Sequence, residues 1–146
     1  MHHFLLIAHL LATTIWVGGH LFLVFRILPA AIKLKDVSIL SDFREKFGKI
    51  GMPSLITLII TGILLAYDYD VSILNWFSFE TPIEKIVSIK LLLLFISLIL
   101  VIHSQKYVFP NLKPERMLPA IIEIYSVTLI AVSMLVLGSL VRVGGI

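Results

Sequence analysis

The 146-residue sequence contains no cysteine. Disulfide frameworks, thiolate metal sites and thiol catalysis are therefore excluded. Charge is scarce as well. Asp, Glu, Lys and Arg make up 14% of the chain, against a hydrophobic share of 59% and a mean hydropathy of +1.05. Soluble domains carry about 25% charged residues, so this composition points to a bilayer as solvent. Methionine occurs four times, which leaves no methionine-rich copper tract. There is no low-complexity segment and no clear internal repeat. The first apolar run lacks a basic start and an obvious small-residue cleavage site, and it exceeds the length of a signal-peptide core. It reads as a retained span. The net charge of +3 is no nucleic-acid signal, because the basic residues cluster beside the apolar runs, where membrane topology accounts for them.

What the chain has in abundance is long hydrophobic runs. Four of them approach the roughly 20 residues that cross a bilayer. They predict an all-α, integral membrane four-helix up-and-down bundle. Residues 1–146 form a single domain, with spans at about 3–28, 52–69, 83–109 and 117–143. In the first connection, Ile39, Leu40, Phe43 and Phe47 recur at helical spacing, which predicts a short amphipathic helix lying at the interface. In span two, Ser54, Thr57 and Thr61 form a weakly polar stripe, followed by Gly62, that can face other helices or a ligand. The connection DYDVSILNWFSFETPIEK is acidic and carries Trp76 and Phe77 as interface anchors. The first connection holds Lys33, Lys35, Arg44, Lys46 and Lys49, with Arg26 at its edge, and the third holds Lys106, Lys113 and Arg116. Basic connections stay inside, so both termini are expected outside.

The chemistry is concentrated in a few polar residues at membrane depth, where they are costly and mark functional sites. His9 and His20 lie eleven positions apart on nearly one face of span one, displaced by roughly 16 Å along its axis. Trp16 shares that stripe, and Gly18 and Gly19 leave space beside it for a close helix or a porphyrin edge. Spans one and three run parallel, so His20 and His103 are expected at one level, with Glu123 of span four nearby. His9 and Lys90 form a second level. Paired imidazoles from different helices suit a six-coordinate haem iron. His9, His20 and His103 are the candidate metal ligands, Lys90 is a further axial candidate, and Arg26 can pair with a haem propionate. Lys90 and His103 diverge by about 140° around a regular helix. Both face the interior only if span three bends or contains a π-bulge.

These residues also carry a resemblance. HLLATTIWVGGHLFLVFRILP, FGKIGMPSLITLIITGILLA, PIEKIVSIKLLLLF and IEIYSVTLI resemble the four helices of the CopD (copper resistance protein D) superfamily of bacterial membrane proteins. His9, Trp16 and Lys90 are also similar to the pattern of HemJ-type protoporphyrinogen oxidases, which associate the matching histidine and lysine with b-type haem. Phe25-Arg26-Ile27-Leu28-Pro29 stands where those oxidases carry a Pro-Arg-Leu signature. The resemblance implies a multi-pass protein of the bacterial inner membrane. Three functions follow from it: haem b redox chemistry with one or two haems per chain, copper transport or resistance, or a HemJ-like oxidase. It leaves open a quinone or redox protein as partner, and a homodimer.

Overall fold

In a computed structural model covering all 146 residues, the chain forms four long helices and no β-strand. They are α1 (His2–Leu34), α2 (Ser38–Asp68), α3 (Pro82–Asn111) and α4 (Leu118–Val143), each long and apolar enough to cross a membrane. Contacts at both ends fix the antiparallel order. His2 at the start of α1 meets Asp68 and Tyr69 at the end of α2. Gly145, just past α4, packs on Pro82 at the start of α3. Arg44 near the start of α2 bonds Gln105 and sits over the Phe109 ring near the end of α3. The result is an up-and-down bundle with a basic end and an acidic end.

Proline shapes two of the helices in the same way. α1 and α3 each contain a π-helical turn, at Leu23–Ile27 and Ser104–Val108. Pro29 and Pro110 follow at the same offset. A proline ring crowds the carbonyl four residues back and offers no N–H to it. Widening the preceding turn relieves that crowding. Pro53 acts differently, because α2 passes through it unbroken. The hydroxyls of Ser54 and Thr57 donate to the carbonyls of Ile50 and Pro53, one turn back on the same helix. This corrects one expectation: residues 38–51 are the first turns of α2, not a separate interfacial helix. The first three helices also begin or end beyond the predicted spans, with α1 continuing to Leu34.

The connections are built by polar caps. Asp36 Oδ1 accepts the Ser38 N–H at 2.9 Å as α2 begins, and that bonding holds its carboxyl below the usual range. α3 starts with a capping box in which Thr81 and Glu84 bond each other's backbone N–H. Asn75 and Ser78 also donate to Glu84, each at 2.8 Å, so the acidic connection folds back onto the helix start. Trp76 is drawn into this fold, with its indole Nε1 buried and unpartnered. The Trp76 ring is half-buried, whereas Phe77 is exposed.

Packing is uneven. α1 lies centrally against both α2 and α4, α3 packs on α4, and α2 and α3 share little contact. The large-residue core sits at the basic end, where Val24, Leu28, Ala31, Leu40, Met117 and Ile124 interlock. Farther along, small or weakly polar residues (Ala12, Thr61, Ser88, Ser97, Thr128 and Ala131) share the buried positions with Leu55, Leu65, Ile86 and Val127. Large apolar side chains such as Phe4, Phe25, Phe95, Ile102 and Leu129 point outward on α1, α3 and α4, an apolar girdle suited to lipid contact.

Candidate functional site

Three intramembrane imidazoles use their hydrogen bonds in the same way. His20 Nδ1 lies 2.7 Å from the Trp16 carbonyl one turn back. A carbonyl only accepts, so Nδ1 carries the proton and donates. His9 Nδ1 lies 2.8 Å from Thr61 Oγ1 on α2, and that hydroxyl lies 2.6 Å from the Thr57 carbonyl. The hydroxyl proton is committed to Thr57, so Nδ1 of His9 must again be the donor. His103 Nδ1 bonds Oε1 of Glu123 on α4, and the carboxylate accepts. In each ring Nε2 is left with its lone pair and no hydrogen-bond partner, and none of the three is sealed from accessible space. A histidine ligand is normally held this way, with the outer N–H tied down and the other nitrogen free for a metal.

Surroundings separate the three. His9 projects from α1 over Gly62 of α2, where an added Cβ would stand 3.4 Å from its ring. Lys90 projects from α3 toward α4. Its Nζ sits over Gly138 of α4, 3.5 Å from where a Cβ would stand. The ammonium nitrogen has no carboxylate partner, since the only ion pairs are His2–Asp68 and His103–Glu123. His9 and Lys90 thus each lie against a glycine of a neighbouring helix, Gly62 of α2 and Gly138 of α4. Thr61→Val keeps the local volume but strips the acceptor from His9. It is expected to lower the stability of the purified protein by about 1 kcal/mol, the net value of one hydrogen bond, read from thermal melting in detergent.

The other level does not form as expected. His20 packs against Trp16 at a ring separation of 4.6 Å and meets Phe47 of α2 edge-on at 5.8 Å. Phe47 also fills the space over Gly19, where the sequence left room for a porphyrin edge. His103 lies at the α3–α4 interface and is half exposed. The π-turn that could have turned it inward starts one residue later, at Ser104, so the stretch from Lys90 to His103 stays regular. His20 and His103 thus occupy different helix interfaces and do not face each other. Arg26 is exposed on the first π-turn with no acidic partner. No three His, Asp or Glu side chains converge on one point.

Two partners were not assigned from the sequence alone. Thr61 was placed on a polar stripe, but its pairing with His9 depends on the register between α1 and α2. Glu123 was placed at the level of His103, and the observed bond follows from that shared level. The chain matches no protein-family model, no curated protein and no solved structure.

Proposed function

We propose that this chain is a multi-pass membrane protein that binds haem b at the His9–Lys90 level and carries out electron transfer or small-molecule redox chemistry. The observation that carries the reading is the hydrogen-bond chain from His9 through Thr61 to the Thr57 carbonyl, which leaves His9 Nε2 free in the interior. The donor set fits the group. An imidazole nitrogen on α1 and a lysine nitrogen on α3, neither with another hydrogen-bond or ion-pair partner, lie beside Gly62 and Gly138. A bound haem would supply a one-electron couple.

The chain's own residues do the rest. Thr61 fixes the ring orientation and tautomer of His9. Ser88, Ser97 and Thr128 are buried, and each of their hydroxyls is turned back on its own helix. Trp16, Phe43 and Phe47 close off the space beside His20 and limit water entry from that side. His20 is held in the same tautomer and is the candidate for a second redox level. The reading keeps the likeness to CopD and HemJ-type proteins, with basic connections facing the cytoplasm of a bacterial cell and a quinone or redox protein as exchange partner.

The test is a reduced-minus-oxidised spectrum of detergent-purified protein expressed with ample haem, with a pyridine haemochrome assay for stoichiometry. A b-type α-band with about one haem per chain is expected. A colourless protein defeats the proposal.

A further inference from the structure

At the basic end, outside the haem level, a cavity of about 180 Å³ opens between the end of α3 and the start of α4. It is lined by His103, Tyr107, Val108, Asn111, Arg116 and Pro119. It is far smaller than the roughly 300–1,000 Å³ of pockets that hold drug-sized ligands, so a porphyrin does not fit. Its polar groups are largely unspent. Arg116 has no carboxylate within ion-pair distance, whereas Arg44 is engaged by Gln105 and Phe109 and Lys106 by the Tyr107 ring. His103 is anchored through Nδ1 by Glu123, which is 7% exposed and whose second oxygen is buried without a partner. That anchor holds Nε2 outward as an unspent lone pair. Asn111 gives one N–H to the Tyr107 carbonyl and keeps a second.

The combination selects a ligand. A guanidinium fork and an amide N–H donate to oxygens, while an imidazole lone pair accepts one proton. A phosphate monoester or inorganic phosphate with one P–OH offers both, anionic oxygens for Arg116 and a proton for Nε2. A phosphodiester has no P–OH, and a carboxylate lacks the third oxygen. We propose that this cavity is a phosphomonoester site at the basic end of the bundle, with Arg116 as the anion clamp and the Glu123-held His103 as the acceptor for P–OH. The ligand can be free phosphate or the headgroup of a lipid such as phosphatidic acid.

The experiment uses the full chain in detergent, titrated calorimetrically with inorganic phosphate, and reconstituted in nanodiscs containing phosphatidic acid, phosphatidylglycerol or phosphatidylcholine. Saturable binding of phosphate or phosphatidic acid is expected, weakened about ten-fold or more in Arg116→Gln, as for loss of a charge-assisted pair. His103→Phe should erase the preference for phosphatidic acid over phosphatidylglycerol. Arg116→Lys keeps the charge without the fork and should bind at an intermediate level, which guards against a folding defect in the glutamine variant. Tighter binding of phosphatidic acid than of phosphate identifies the lipid as the source, and equal or weaker binding identifies the free anion. Binding that Arg116→Gln leaves unchanged, equal binding of the diester lipid, or no saturation at millimolar phosphate overturns the proposal. None of these readouts requires haem.

Discussion

His9→Ala is expected to abolish the b-type α-band, while His103→Gln leaves it near wild-type height. The difference follows from where the two free nitrogens point. His9 is tied by Thr61 over Gly62 of α2 with its Nε2 unbonded, and Lys90 Nζ lies over Gly138 of α4. His103 Nε2 opens into the small cavity at the basic end, on a half-exposed side chain. If His9 holds the haem as proposed, its loss removes both the ligand and the orientation that Thr61 gives it, so haem content should fall to background instead of by a small factor. Lys90→Met separates ligation from packing. It keeps the length and volume of the side chain over Gly138 but removes the amine. The expected result is retained colour with a broad, high-spin spectrum in place of a sharp α-band. Should His9→Ala keep a full-height band, the axial ligand lies elsewhere and His20 becomes the first residue to replace. Should Lys90→Met leave the spectrum unchanged, the second ligand is not the amine, and the glycine beside it serves packing alone.

The sequence made some of this legible because the bilayer imposes strong rules. Span number and class follow from run length and hydropathy, since only helices or closed barrels satisfy backbone groups in lipid. The expected level of His9 and Lys90 follows from counting residues along the parallel spans one and three at a fixed rise. What the count does not contain is rotation. Whether His20 meets His103 depends on which way each helix is turned about its axis, and here Phe47 claims the face of His20 while Glu123 claims that of His103. Residues 38–51 misled for a related reason. Their amphipathic spacing is real, but Leu40 is buried under α1 and α4, not laid on a membrane surface. Long-range packing, invisible in the local pattern, decided between the two.

Gly19 and Phe47 should show the strongest energetic coupling in the bundle. An added Cβ at Gly19 would stand 2.1 Å from Phe47 Cε2 and 2.3 Å from Cζ, well inside contact distance. The ring cannot simply swing away. On another side it presses on Gly51, where a Cβ would stand 2.7 Å from Cε1, and it stacks on Phe43 at 5.4 Å with an interplanar angle of 11°. Gly19→Leu therefore forces helix α1 away from α2 and is expected to cost about 3 kcal/mol, the upper end of ordinary overpacking. Phe47→Ala empties the same space and is expected to cost about 3 kcal/mol through the cavity it leaves. In the double variant the leucine occupies the space the ring vacated. Its loss should fall short of the summed single losses by at least about 1 kcal/mol, as for residues in direct contact. Trp16 reports the event locally, since its ring lies 6.4 Å from that of Phe47. Thermal unfolding followed by fluorescence in a Trp76→Phe background, which leaves Trp16 as the sole indole, gives all four corners of the cycle. Strict additivity would mean that α1 and α2 do not meet at this point, and that the space beside His20 is open after all.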